Sequence, residues 1–215
     1  MKKLVLYGAG GLGREAVLLV DEINYTHPGT YNLLGFVVDS QYLRGQQKVA
    51  GYPVLGDAKW LFDHANEVCC AITVGDYSEE RERIFRTLEA ENIEIESLIS
   101  PSVYVHSSNT IGRGCYIGWR TTLSVDMVIG NGVFINSDCM FGHDVHVGDF
   151  ASVMPRAAIS GGCTIGKHAV IGGGSYILPR KRIGEKAVVA AGSVVFTNVK
   201  DATHVLGNPA KRVFL

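Results

Sequence analysis

No stretch of this chain is apolar over the ~18 residues that a bilayer-spanning helix needs, and no block of like charge runs along it. Its 20 basic and 21 acidic residues leave a formal net charge of −1. A nucleic-acid or anionic-membrane partner is therefore not expected, because the basic patch that would hold it is missing. No Cys-x-x-Cys pair occurs, and the five cysteines are an odd number. A disulfide framework and a metal cage both lack their signature, so no metal is expected. Cys69 and Cys70 sit in an apolar run, while Cys115, Cys139 and Cys163 recur at intervals of 24 residues; all five read as small buried hydrophobes. The opening Met1-Lys2-Lys3 and the apolar Leu4–Tyr7 after it run at once into a glycine-rich turn. A buried first strand of a cytoplasmic protein is expected there, rather than a secretory leader. With 215 residues, 47% of them hydrophobic, the chain suits one or two domains with real cores.

What the chain has in abundance is a period of six. Ile99, Val105, Ile111, Ile117, Leu123, Ile129, Ile135, Phe141, Val147, Val153, Ile159, Ile165, Ile171, Ile177, Ile183, Val189 and Val195 follow one another without a break. This period fits neither an α-helix nor a flat strand. It fits a parallel β-helix in which each short strand and its corner take six residues and three such units close one coil. At about 18 residues per coil the run makes between five and six coils. Small residues recur four places after the aliphatic ones, among them Cys139, Ala151, Ala157, Ala169, Ser175 and Ser193, where a tight corner would exclude Leu. Glycine often follows the aliphatic residue directly, as in Ile129-Gly130 and Ile165-Gly166, and is expected to supply a sharp corner conformation. Beyond Asn198 the period is lost, and that segment is expected to pack across the last coil, whose open edge needs a cover.

Residues 1–95 carry no such rule. Strands are expected at Lys3–Tyr7, Leu33–Val38 and Val68–Val74. Helices are expected from Arg14 to about Tyr25, with Val17, Leu18, Val20 and Ile23 inward, at Ala58–Ala65, and at Glu79–Asn92 with Ile84, Phe85 and Leu88 inward. Alternating strands and helices imply a small Rossmann-like parallel sheet, an α/β domain over 1–95, followed by a β-helix domain over 96–215. Between the first strand and the first helix, Gly8-Ala9-Gly10-Gly11-Leu12-Gly13 matches G-x-G-x-x-G. The helix start offers N–H groups to a phosphate. Asp39 lies 26 residues past Gly13, beyond the usual spacing of about 20 for a ribose-binding acid. A dehydrogenase would also need a substrate domain. NAD(P), another nucleotide and a purely structural turn all stand as readings of the loop.

Several segments together resemble one family: Leu4–Glu15, the strand end Gly35-Phe36-Val37-Val38-Asp39, Val74-Gly75-Asp76 with Arg81 nearby, and the hexads. It is the sialic acid O-acetyltransferase / UDP-4-amino-sugar N-acetyltransferase family of hexapeptide-repeat sugar acyltransferases. The resemblance implies that the β-helix is left-handed. It also implies an acetyl-CoA-dependent acetyltransferase acting on an amino or hydroxyl group of a nucleotide-linked amino sugar or a sialic acid. By the same resemblance the first domain binds the sugar or nucleotide-sugar acceptor through Gly8, Gly10, Gly11, Asp39 and Gly75. A homotrimer with sites between subunits is implied as well.

Acetyl transfer needs a base to take the nucleophile's proton, and histidine titrates in the right range. Of the seven histidines, His143 stands two residues after a core position and is followed by Asp144. In the family a His followed by Glu or Asp holds this place and serves as the general base, so the resemblance gives His143 and Asp144 the catalytic role. Some members carry a further His where Ser152 stands here. The later coils hold Gly172-Gly173-Gly174-Ser175 and Ala190-Ala191-Gly192-Ser193. Gly173, Ser175, Ala191 and Gly192 would let a pantetheine arm lie against the backbone. The tail Gly207-Asn208-Pro209-Ala210-Lys211-Arg212 resembles the family's G-x-P-A-basic tail, which places Pro209, Lys211 and Arg212 near the CoA adenine and phosphates. Serine acetyltransferase, or a non-catalytic sugar-nucleotide-binding β-helix, are the alternatives.

Overall fold

The computed structural model describes residues 1–42, 45, 47–75 and 78–214. It divides into two compact units, Met1–Pro101 and Ser102–Leu215. The first unit is a parallel sheet with helices: β1 (Lys2–Tyr7), α1 (Gly11–Thr26), β2 (Tyr31–Val37), β3 (Lys48–Val49), β4 (Tyr52–Gly56), α2 (Ala58–Asp63), β5 (Cys69–Ile72), α3 (Ser78–Ala90) and β6 (Glu94–Ile95). The order across the sheet is β3-β4-β2-β1-β5-β6. Only β3, which pairs with β4, runs antiparallel. Consecutive residues Leu4, Val5 and Leu6 are all fully buried, as expected for a strand covered on both faces. The chain leaves β1 toward β2 on one side and later places β5 on the other. The carboxyl end of β1 is therefore a topological switch point, where open α/β sheets bind their ligands.

Two expectations for this unit are corrected. Leu18 is 62% exposed, whereas Ala16 and Leu19 are fully buried beside Val17, Val20 and Ile23. The buried stripe of a 3.6-residue helix runs through 13, 16, 17, 20 and 23, and Leu18 falls on the opposite face. The β3–β4 hairpin falls between the expected second strand and second helix and is absent from that outline. Its turn uses positive φ at Ala50 and Gly51, and an Ala at such a position gives no sequence signal.

The second unit is a parallel β-helix. Two-residue strands at Thr110–Ile111, Val128–Ile129, His146–Val147, Thr164–Ile165 and Arg182–Ile183 form one face. Another face stacks Thr122–Leu123, Met140–Phe141, Ala158–Ile159, Tyr176–Ile177 and Val194–Val195. The remaining face includes Tyr116–Ile117, Phe134–Ile135, Ser152–Val153, Val170–Ile171 and Val188–Val189. The rungs of each face pair in register at an offset of one 18-residue coil, as Ile129 with Val147 and Val147 with Ile165. This is the left-handed hexapeptide architecture expected from the resemblance, with five rungs per face from Thr110 to Val195. From Ile117 to Val195 every aliphatic position of the repeat is buried, and so are the small corner residues. The early positions are less covered: Val105 is 37% exposed, with Val103 buried nearby, and Ile99 and Ile111 are only half-buried.

The corner glycines work differently from the expectation. The positive-φ corner position lies three residues after the aliphatic one, and Arg120, Asp126, Asp138, Asp144, Phe150, Arg156, His168, Arg180 and Lys186 adopt it with φ of 53–63°. The glycines directly after the aliphatic residue are needed for close approach instead. A Cβ on Gly148 would stand 2.7 Å from the Lys167 amide nitrogen, and one on Gly166 2.5 Å from that of Glu185. Past Asn198 the chain adds a strand, His204–Leu206, parallel to Val188–Val189, and returns as the antiparallel strand Lys211–Val213. The end segment thus prolongs one of the three sheets rather than merely lying across the last coil.

Candidate functional site

At the carboxyl end of β1 the glycines divide into two kinds. Gly8 has φ +113°, and a Cβ there would lie 2.9 Å from the Thr73 carbonyl oxygen. A Cβ on Gly13 would run into the carbonyl oxygen of Gly8. These two glycines seat α1 against the sheet. Gly10 and Gly11, by contrast, would meet nothing within 4 Å. Gly10 caps α1 without a side-chain hydrogen bond, so the first-turn N–H groups are left to an outside acceptor. Thr73 braces the loop through a hydroxyl that donates to the carbonyls of Tyr7 and Gly8 at 3.0 and 2.7 Å.

Asp39, just past β2, is pinned from two sides. Tyr7 donates its hydroxyl to Oδ1 at 2.6 Å, and Arg83 Nη2 donates to Oδ2 at 2.6 Å. Burial, reinforced by the hydrogen bond to Asp39, raises the Tyr7 phenol above its usual range, so it stays a donor. On the far side of β1, the buried Arg81 donates to the carbonyls of Val74 and Gly75. The structure thus gathers Gly8, Gly10, Gly11, Asp39 and Gly75 at the strand ends of one unit. Asp76 lies outside the described residues. Tyr7, Thr73, Arg81 and Arg83 were absent from the candidate set. Three of them act through ordinary helix- or strand-end positions, and only Arg81 had a sequence signal.

In the β-helix, His143 and Asp144 follow the rung Met140–Phe141 and form the corner before His146–Val147. Neighbours in sequence usually point apart. Here Asp144 adopts φ +57°, and its carboxylate Oδ2 comes 2.6 Å from His143 Nδ1. The carboxylate can only accept, so the shared proton sits on Nδ1, and in the neutral ring Nε2 is the nitrogen with the lone pair. The His143 carbonyl accepts from Gly162 N at 2.8 Å, which ties this corner to the next coil. Both side chains are more than half exposed. His146 points outward from a different face, and His168 is 6% exposed with its ring stacked on Phe150 at 5.7 Å.

The candidate CoA residues collect elsewhere. Gly173 and Gly192 stand at the corner that precedes the Tyr176 and Val194 rungs, joined by a Gly192 N to Gly173 O bond of 2.9 Å. A Cβ on Gly192, or on Gly174 one coil before it, would meet nothing within 4 Å, and Ala191 is exposed. Gly207 and Ala210 bond to the backbone of Val194, which brings exposed Pro209, Lys211 and Arg212 to the same end of the helix. Ser175 is 1% exposed and its hydroxyl donates to the Ala190 carbonyl at 3.0 Å, inside the coil. Ser152 is likewise fully buried. His143 and the open glycine corner therefore sit on two different edges of one face. Among the described residues, no group of three or more His, Cys, Asp or Glu is arranged to hold a metal ion, and no helix is long and apolar enough to cross a membrane.

Comparison with known proteins matches both halves. Residues 3–88 match the PglD N-terminal domain, and residues 145–179 match the bacterial transferase hexapeptide repeats. The first match falls in the α/β unit and the second in the β-helix, the two parts that the motifs distinguish. Among solved structures, WeeI from Acinetobacter baumannii is 28% identical, with a TM-score of 0.87 over 99% of this chain and 100% of that one. The acetyltransferase domain of PglB from Neisseria gonorrhoeae, solved with acetyl coenzyme A, is 26% identical, with a TM-score of 0.74 over 99% of each chain. PerB from Caulobacter crescentus, at 23% identity and a TM-score of 0.75 over 100% of this chain and 98% of that one, shares the fold. The UDP-3-O-acylglucosamine N-acyltransferase of Albidiferax ferrireducens is 31% identical over 45% of this chain and 31% of its own length. A serine acetyltransferase of Buchnera aphidicola is 36% identical over 52% of this chain and 38% of its own. The chain spans between about three tenths and two fifths of the length of these curated relatives.

Proposed function

We propose that this protein is a cytoplasmic enzyme that transfers an acetyl group from acetyl-CoA to an amino or hydroxyl group of a sugar, a nucleotide-linked amino sugar or a sialic acid. The observation that carries the reading is the 2.6 Å His143–Asp144 pair, which leaves Nε2 free as a base on an exposed corner. His143 takes the proton from the acceptor's amine or hydroxyl as that group attacks the thioester, and Asp144 holds the ring and stabilises the imidazolium. The open backbone at Gly174 and Gly192 fits an extended pantetheine arm, and the exposed Lys211 and Arg212 suit the phosphates. In the first unit, Gly10 and Gly11 offer N–H groups to the acceptor's phosphate at the switch point. The PglD N-terminal domain favours a sugar acceptor over serine. Five free, buried cysteines fit a reducing compartment.

The base and the open glycine corner occupy different edges of one face, so a single chain does not bring base and donor together. A homotrimer, in which one chain's edge meets the other edge of its neighbour, completes the site and excludes water from it. The test is acetyl-CoA turnover against a panel of nucleotide amino sugars and sialic acids. His143→Ala should lower turnover by about 10²–10⁴-fold while CoA still binds, whereas His146→Ala should be mild. Near-normal turnover of His143→Ala at saturating acceptor would overturn the assignment. Light scattering that found an active monomer would remove the trimer.

A further inference from the structure

One coil after His143, at the equivalent place in the repeat, stands Gly161. A Cβ built on Gly161 would lie 2.7 Å from His143 Nε2, 2.9 Å from Cε1 and 3.0 Å from Cδ2. The three atoms nearest to it all belong to the imidazole ring, and none of the three is a backbone atom. Most other glycines of the coils are different, because their Cβ would collide with the backbone of the next rung, as at Gly148 and Gly166. Gly161 has no positive φ to explain it. We infer that Gly161 is a positioning residue for the base: its bare Cα is the seat of the His143 ring, and the missing side chain keeps Nε2 open to the acceptor.

The ring is then fixed on two sides. Asp144 holds Nδ1 at 2.6 Å, and the bare Gly161 backbone supports the opposite edge. A methyl group at 161 leaves the ring two options. It can stay, with the methyl capping the nitrogen that must take the proton. Or it can swing away by most of an ångström, which stretches the short bond to Asp144 and misplaces the base. Misplacement of about 1 Å costs on the order of 10²-fold in rate. The inference rests on the proposed role of His143 and refines it.

The test is Gly161→Ala, alone and with His143→Ala. Gly161→Ala should lower kcat by roughly 10–100-fold with acetyl-CoA affinity unchanged. In the His143→Ala background it should lower turnover no further, since the ring it obstructs is gone. Carbethoxylation of His143 by diethyl pyrocarbonate, followed by peptide mass analysis, should slow in Gly161→Ala while the exposed His146 reacts as before. That readout needs no turnover, so it separates failure of this inference from failure of the acetyltransferase reading. If Gly161→Ala alone folds poorly, the double variant should restore its thermal stability. A kcat within twofold of wild type, an equal loss in both backgrounds, an unchanged His143 labelling rate, or instability that His143→Ala does not relieve would overturn it.

Discussion

Gly11 and Gly13 lie two residues apart in the same turn of α1, and the structure assigns them opposite responses to one methyl group. On Gly13 the added Cβ runs into the Gly8 carbonyl oxygen and lies 3.0 Å from its carbon. Both are backbone atoms of a loop that Thr73 and Val37 already hold by hydrogen bonds, so neither can yield cheaply. Overpacking of this kind costs roughly 1–3 kcal/mol. For a protein of this size each kcal/mol moves Tm by about 2–4 °C, so Gly13→Ala should lower Tm by roughly 2–12 °C. On Gly11 the Cβ meets nothing within 4 Å, and Ala is the better helix former. Gly11→Ala should leave Tm unchanged or raise it slightly. Paired thermal melts by circular dichroism read both. Equal destabilisation by the two variants, or none by Gly13→Ala, would refute the division of the loop into packing glycines and open ones. Because Gly11→Ala stays folded, any loss of acceptor binding in that variant reports on the ligand and not on the fold.

In the β-helix, Gly166→Ala drives a Cβ to 2.5 Å from the Glu185 amide and 2.6 Å from the Gly184 carbonyl carbon, and the urea midpoint should fall by the equivalent of about 1–3 kcal/mol. Burial pushes the Cys139 thiol up to about 11 and that of Cys69 up to about 12, so a thiol reagent at pH 8 should label the native protein far more slowly than the unfolded chain. The same shifts have a sign: the unfolded chain loses these protons near pH 9 and the folded one only at higher pH, so stability is full below about pH 9 and falls above it. A flat stability profile between pH 8.5 and 11 would contradict the buried thiols.

The sequence by itself determined the β-helix, because a six-residue period repeated seventeen times admits one way of burying its aliphatic residues. It also determined the α/β order of the first unit and the glycine-rich turn at the end of β1. The helix bounds differed by a few residues, and Leu18 was assigned to the wrong face, because apolar neighbours in sequence do not say which side of a helix packs. What the tertiary structure decided is which glycine does what. Gly8 and Gly13 pack, Gly10 and Gly11 stand open, and Gly166 admits the next rung, yet all five are the same letter in the sequence. The pairing of Asp39 with Tyr7 and Arg83 joins residues 32 and 44 positions apart, which no local pattern encodes. His143 and Asp144 were legible as neighbours, but their contact required the positive φ at Asp144. Gly161 was visible only as one more glycine until the coil closed. Eighteen residues along the chain become one step along the axis, and that step puts the imidazole of His143 where a Cβ on residue 161 would stand within about 3 Å of it. Composition and period fix what is buried; the distance between coils fixes which side chains have room to act.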